Sequence, residues 1–480
     1  MRWLGVALAV LLIPVQAAYG ATAATLGVGR NPSVAVEPSG VGHAAWLVVG
    51  PSVGSDTIKY CRLPRANPTS CQAPQTLTPP AGRGDNVHVL ASGGNVYIVL
   101  PRYVQNDVQL WTSTGGAPFT GPVTVATGNV GTSAEDAVLG PAGSAFIASS
   151  NPATYVQQIP LAGGPPPSAS ARFSTDFTSF IYGPTIATFG AAATPLLAAS
   201  DAPSSAAPQV AFWRYGSGDI HNTASWIGPT VVGQGDTPRV AGGPAGLVMM
   251  TNARSGESFS NQMQARRYDE TTSTFGPPVN VGPREVGHEN DLAQAASGGS
   301  AAGRLFAVWV RNDTSSLRLS TSSNGGAAWS PVSDIVREPN LFNLRVEVAP
   351  DGQGFVVWDQ NANDGQVRAA PLIPIAGSGG LDASLKPSQV IKLPSSRKCR
   401  SRRSFRIRLV VPKGVIIATA SVRVNGKRVK VVRKRRLTSF VNLRGLPKGR
   451  YSVKIVVVTE AGKILRSTRR YRTCAPRRRG

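Results

Sequence analysis

Apolar residues along the chain fall into short runs, and one kind of run recurs. It reads His43-Ala-Ala-Trp-Leu-Val48, Val96-Tyr-Ile-Val-Leu100, Ala145-Phe-Ile-Ala148, Pro195-Leu-Leu-Ala198, Leu247-Val-Met-Met250, Leu305-Phe-Ala-Val-Trp-Val310 and Gly354-Phe-Val-Val-Trp358. Runs of this length, often following a glycine-containing turn, predict buried β-strands. Measured from Trp46, Ile98, Phe146, Leu196, Val248, Val308 and Val357, the steps are 52, 48, 50, 52, 60 and 49 residues. Spacing this even marks a structural repeat.

The flanks of each run have their own order. A strand precedes it, as in Val87–Ala91 or Leu344–Val348, and a more polar strand follows, as in Asp107–Trp111 or Leu317–Ser320. An aromatic-turn-proline element then leads into an outer strand: Phe119-Thr-Gly-Pro-Val123, Trp226-Ile-Gly-Pro-Thr230, Phe275-Gly-Pro-Pro-Val279 and Trp329-Ser-Pro-Val332. Proline donates no ladder hydrogen bond, so it suits an edge. Four strands in each of seven repeats predict an all-β chain with a seven-bladed β-propeller over residues 24–376. The last repeat lacks an outer strand after Val367–Leu372, and Ala24–Val28 is expected to supply it and close the ring.

Charge divides the chain. Residues 386–480 carry 30 Lys/Arg against one acid, Glu460, whereas the other residues carry 20 against 24. A glycine-rich stretch, Ile375–Gly380, lies just before the change, and a flexible linker is expected over 377–390. Residues 391–480 read as a small immunoglobulin-like β-sandwich. Ser404–Val411 alternates basic with apolar residues over its first part, Asn425-Gly426 predicts a hairpin turn, and Gly449-Arg-Tyr451 resembles a tyrosine corner of bacterial immunoglobulin- and fibronectin-type modules.

The N-terminus reads as a secretory signal peptide, residues 1–23: Arg2, an apolar run to Val15, then small residues to Ala23. That run is too short to span a bilayer, and no later stretch is long enough. A secreted chain, associated with a cell surface through its basic part and monomeric, is expected. Four cysteines behind a signal peptide suggest disulfides. Three pairings are open, and proximity favours Cys61–Cys71 and Cys399–Cys474. Metal binding through cysteine or histidine is not expected, because no CxxC occurs and His43, His88, His221 and His288 lie far apart.

Ser322-Ser-Asn-Gly-Gly-Ala-Ala-Trp329 resembles the Asp-box (BNR repeat) of sialidase-like propellers, with Asn324 at the aspartate position. Thr112–Phe119 is a weaker copy, with Thr114 there. The resemblance implies a hairpin between the third and outer strands of a blade, in which a short polar side chain bonds the loop backbone. It also raises sialidase-like glycoside hydrolysis as an activity. Against that, the Phe/Tyr-Arg-Ile-Pro arginine signature of sialidases is absent, and their six blades contrast with seven repeats here. Arg239, Arg267 and Arg345 could reach a common channel, with Tyr268 as nucleophile. No nucleophile elbow, HExxH or phosphate loop occurs.

Aspartates recur before the first strand of several repeats: Asp85, Asp136, Asp236 and Asp291, at steps of 51, 100 and 55. Their spacing suggests equivalent positions at one mouth of the channel. A carboxylate ring there, with Arg239 and Arg345 nearby, would hold a calcium ion, a cationic group or a sugar; alternatively each aspartate caps its own loop. No other cofactor is expected. Asp85 also ends an Arg-Gly-Asp tripeptide. In the C-terminal module, Arg433, Lys434, Arg435, Arg436, Arg469 and Arg470 fall in basic clusters suited to an anionic cell-wall polymer or acidic polysaccharide. A non-catalytic binding or adhesion protein is the expected function, with a sialidase-like glycosidase as the alternative.

Overall fold

The computed structural model describes residues 23–372, apart from short segments of which 174–180, 202–207 and 254–260 are the longest. It also describes residues 387–392 and the strands named below for the rest of the chain. Cys399, Cys474, the signal-peptide region to residue 22, Arg83 and Asp85 lie outside the described residues. The chain divides into two compact units, Met1–Ile373 and Pro374–Gly480.

The first unit is all-β and built of four-stranded antiparallel sheets, an arrangement consistent with a β-propeller. The first sheet is Arg30–Val36, Gly42–Val48, Thr57–Leu63 and Gln72–Leu77. The second is His88–Ser92, Asn95–Arg102, Asp107–Thr114 and Thr120–Thr127. The third is Ser133–Leu139, Ser144–Ser150, Thr154–Pro160 and Ala171–Phe173, and the fourth is Ile181–Phe189, Thr194–Asp201, Gln209–Tyr215 and Trp226–Gln234. The fifth begins Asp236–Ala241, Val248–Ala253, Asn261–Asp269. Its outer strand, Val279–Gln294, runs on without a break as the first strand of the sixth, which continues Leu305–Arg311, Leu317–Ser322, Ser333–Val336. The last sheet is Leu341–Val348, Gly354–Gln360, Gln366–Pro371 and, from the other end of the unit, Ala24–Val28.

The recurrent apolar runs are the second strands, and their burial follows from their position. Sheets stack face to face, so a second strand has a neighbouring sheet on both sides and is apolar on both faces. Alternation of buried and exposed residues is therefore absent: Gly42–Leu47, Leu305–Val310 and Gly354–Asp359 are buried at every residue. Each core cluster joins two adjacent sheets. Leu47 and Ile98 meet between the first and second, Phe146 and Trp213 between the third and fourth, Val308 and Trp358 between the sixth and last. Trp46 and Val357 meet between the first and last, which closes the circuit. Along it the first strand of each sheet packs against the first strand of the next.

Two of the aromatic-turn-proline elements have a steric requirement. Gly121 and Gly228 take φ of 122° and 140° and occupy matching places in the outer strands of the second and fourth sheets. A Cβ at either would lie 2.7 Å from a carbonyl oxygen, that of Leu110 or Phe212, so neither position tolerates a side chain. The turn at 322–329 is a hairpin between the third and fourth strands of the sixth sheet. The Asn324 amide oxygen accepts from Ala328 N (2.9 Å) and from the Ser322 hydroxyl (2.8 Å), while Gly325 and Gly326 take positive φ. Thr112–Phe119 forms the corresponding hairpin of the second sheet, where Thr114 contributes its backbone carbonyl to Ala117 N. The disulfide Cys61–Cys71 links the third strand of the first sheet to the start of its fourth.

The second unit holds a three-stranded sheet (Ile391–Lys392, Ser404–Leu409, Thr438–Asn442) and a four-stranded one in the order Lys427–Arg433, Ile417–Val424, Arg450–Thr459, Ile464–Arg472. Asn425 takes φ of 47° in the hairpin turn. Pro387–Val390, placed by the sequence at the end of a flexible linker, is a helical turn. Tyr451 is buried and stacks on Tyr471.

Ala24–Val28 covers the outer edge of the last sheet, and the Trp46 indole donates to Val28 O (3.0 Å). Removing residues 24–28 is expected to lower the melting temperature by several degrees and broaden the transition; a melting curve identical to that of the intact chain would refute this.

Candidate functional site

In the first unit, the first strand of every sheet presents an edge to a central space of ≈ 410 Å³, lined by these strands. The backbone amides they turn toward that space have no neighbouring strand to bond. Buried amides must find partners, and for four of them a side chain from the preceding sheet supplies one. Ser33 Oγ accepts from Val89 N (3.0 Å) and Thr185 Oγ1 from Val240 N (3.3 Å). Asp136 Oδ2 accepts from Ile186 N (2.9 Å) and the Thr185 hydroxyl (2.7 Å), and Asp291 Oδ2 accepts from Val346 N (2.7 Å). These bonds define equivalent positions around the space: Ser33, His88, Asp136, Thr185, Arg239, Asp291 and Arg345.

Asp136 and Asp291 are therefore equivalent, as their spacing suggests, but Asp236 is not. It sits three residues before Arg239, pairs with Asn252, and is separated from Arg239 by a register irregularity. A similar irregularity follows Ala134. Spacing counts bulged residues as though they were regular, so it placed two different positions in one series. Asp85 lies outside the described residues.

The carboxylates alternate with arginines rather than gathering into an acidic ring. Arg239 Nε lies 3.7 Å from Asp291 Oδ1 and donates to Asn290 O (3.2 Å). Arg345 reaches across the space from the last sheet to the third, where Nη2 donates to Glu135 O (2.9 Å). Among the described residues no three His, Cys, Asp or Glu side chains come together as a metal site, so the carboxylate ring expected to hold calcium is not formed there. Arg267 and Tyr268 do not join Arg239 and Arg345. Arg267 is exposed beside Gly325 and Gly326, and Tyr268 is buried among Phe189, Phe212 and Phe275. The mouth of the space is a smaller polar recess of ≈ 210 Å³ that includes Asn86, His88, Glu135, Arg239, Glu289 and Arg345.

Sequence reasoning overlooked Glu347. Two residues beyond the ring position, the other sheets carry Ala35, Leu90, Val138, Ala187, Ala241 and Ala293. The last sheet carries Glu347 instead. Burial in this apolar layer pushes its carboxyl up to about 7; the Val348 N–H works against the shift, and Asp291 and Asp136 add to it. Burial likewise raises Asp291, although Arg345, Arg239 and Val346 N oppose it. For Arg345 burial works to lower the pKa, but Asp291, Asp136, Glu135 and Glu289 outweigh it and hold the guanidinium more firmly charged. The signal for Glu347 was present in Leu344–Val348, where Arg345 and Glu347 alternate with apolar residues and so share one face.

In the second unit, Arg433 ends a strand, Lys434, Arg435 and Arg436 lie outside the described residues, and Arg469 and Arg470 are exposed on Ile464–Arg472. No described helix is long and apolar enough to cross a membrane.

No protein-family model matches the chain, and no curated protein matches it. It is similar to several solved structures at low identity. A protein of unknown function from Dyadobacter fermentans DSM 18053 is 12% identical with a TM-score of 0.42, over 73% of this chain and 97% of that one. The phage phi92 endosialidase is 10% identical with a TM-score of 0.41, over 96% and 89%. The GH43_1 enzyme from Xanthomonas citri is 10% identical with a TM-score of 0.35, over 60% and 87%. These likenesses assign no chemistry to the chain.

An acid whose pKa is raised in the folded state binds its proton more tightly there than when unfolded. Its contribution to stability is complete below pH 4.5, the ordinary value, and is lost as pH rises through about 7. Glu347→Gln is therefore expected to flatten the pH dependence of unfolding free energy between these values, by at most about 3 kcal/mol. Denaturant unfolding of both proteins across that range measures it; parallel curves would show that Glu347 is not held neutral.

Proposed function

We propose that the chain is a secreted, non-catalytic binding protein. In this reading the first unit is a seven-bladed β-propeller of the Asp-box kind, closed by its N-terminal strand and presenting a ligand face. The second is an immunoglobulin-like module that associates with anionic cell-surface polymers, and the chain acts as a monomer after loss of its signal peptide. The observation that carries the non-catalytic part is the engagement of the channel arginines. Arg345 is bonded to Glu135 O, and Arg239 to Asn290 O beside Asp291, so both guanidinia are spent on holding sheets together. The anionic partner is supported by charge: one acid accompanies 30 Lys/Arg beyond residue 385. Such a field attracts polyanions and weakens with salt.

One observation favours the sialidase-like hydrolase. Glu347 titrates at about 7 in a space shared with Asp136 and Asp291, and a carboxyl kept protonated near neutrality can act as a general acid. Fluorogenic sialosides and aryl glycosides decide between the two. The binding reading expects no turnover between pH 5 and 7, whereas turnover abolished by Glu347→Gln would establish the hydrolase. The full chain is also expected to stay on heparin or isolated anionic cell wall at about 50 mM salt and to elute below about 1 M, where screening acts within roughly 3 Å. Passage through both at low salt would reject the anionic partner.

A further inference from the structure

One face of the four-stranded sheet in the second unit carries six cations among a few small or hydroxyl side chains. The register places Arg423 opposite Lys454, Lys454 opposite Thr468, Ser452 opposite Arg470, and Arg450 opposite Arg472, with Arg466 farther along the same face. Arg423, Arg450, Lys454, Arg466, Arg470 and Arg472 are all exposed. The reverse face, with Val422, Tyr451, Val453, Ile455 and Tyr471, is buried. Arg469 has the opposite parity and does not belong to the cationic face.

Three properties define what this face fits. Same-side positions recur about every 6.8 Å along a strand and about 4.8 Å between strands, a flat grid rather than a pocket. Guanidinia are interleaved with the hydroxyl residues Ser452 and Thr468, the mixture that contacts backbone phosphates. The exposed positions named carry no aromatic ring, and Tyr451 and Tyr471 are buried, so these described positions offer no platform for stacking a base or a sugar. Like charges directly opposite each other across strands are destabilising, as Arg450 and Arg472 are, and the only acid beyond residue 385 is Glu460. A face built this way is unbalanced until an anion covers it.

We infer that the face formed by Arg423, Arg450, Lys454, Arg466, Arg470 and Arg472 is the binding site for a linear phosphodiester polymer, read through its repeating phosphates and not through its sugars or bases. The inference rests on the anionic-partner reading above and assigns it a surface and a ligand chemistry. Guanidinium groups bond phosphate oxygens in a planar fork, and each phosphate neutralised releases counterions.

The test uses the full chain and three probes: poly(glycerol phosphate), single-stranded DNA, and polygalacturonate as a carboxylate polymer. A face variant (Arg423→Gln, Arg450→Gln, Arg466→Gln, Arg470→Gln) is compared with a charge-matched control (Arg435→Gln, Arg436→Gln, Arg477→Gln, Arg478→Gln). The face variant is expected to bind poly(glycerol phosphate) at least about 30-fold more weakly near 150 mM salt, with the slope of log K against log salt reduced by about 3. The control is expected to lose less than about 5-fold and keep its slope. The face variant should also melt no lower than wild type at low salt, since it removes repulsion; a lower melting point with unchanged binding overturns the assignment. Equal losses in both variants overturn the face while leaving the anionic partner standing, and no binding of any probe by wild type overturns that partner too. Polygalacturonate bound as tightly as poly(glycerol phosphate) overturns the phosphodiester class. Preference between poly(glycerol phosphate) and DNA tells a wall polymer from a nucleic acid, and binding of either at the face upholds the inference.

Discussion

The first unit depends on satisfying the inner edges of its sheets. Four-stranded sheets stacked around a common space each leave one strand facing inward, with amides that no backbone can reach. A serine, a threonine and two aspartates meet four of these amides from the neighbouring sheet, so the sheets are tied together at the place where strand pairing stops. Apolar packing between sheets provides most of the cohesion but is not directional. The side-chain bonds are directional and hold one sheet in register with the next.

That constraint governs what the channel can do. Carboxylates recruited to cap amides need their charge balanced in a buried place, and Arg239 and Arg345 lie where they balance it. The same groups that look like a ligand site in a list of residues also bond neighbouring sheets together. The second unit has the opposite arrangement, with cations on an open face and almost no acid in the sequence to pair with them. Within one chain, interior charge is paired by the fold, whereas the charge of this surface is not paired by acids of its own unit.

The repeat was legible because second strands are buried on both faces, and burial on both faces writes a continuous apolar run. The hairpin at 322–329 was legible because Asn324, Gly325 and Gly326 meet local demands of a tight turn. Phasing at the inner edge was not: the bulges between Asp236 and Arg239 and after Ala134 shift register without changing composition, so Asp236 was grouped with Asp136 and Asp291. Glu347 was hidden for a different reason. Its meaning depends on the alanines, leucine and valine that fill the same layer in other sheets, and these become comparable only once the inner strands are aligned. The cationic face was hidden likewise, since basic residues cluster along the sequence at 433–436 but align across strands at 423, 450, 466, 470 and 472.

The two ends of the first unit are joined late in the chain. Ala24–Val28 pairs with Gln366–Pro371, and Asn31 N bonds the buried carboxylate of Asp359 across 328 residues. A chain delivered from its N-terminus by the ribosome must hold its first strand unpaired until the last sheet has arrived. Closing so long a loop costs little more free energy than closing a short one, but it sets an order of events. Until closure, the first sheet lacks its neighbour, and Trp46 and the flank of the last sheet stand open. The interval between emergence of the first strand and of the last is when this fold is most exposed to aggregation and proteolysis, and transit speed governs its length.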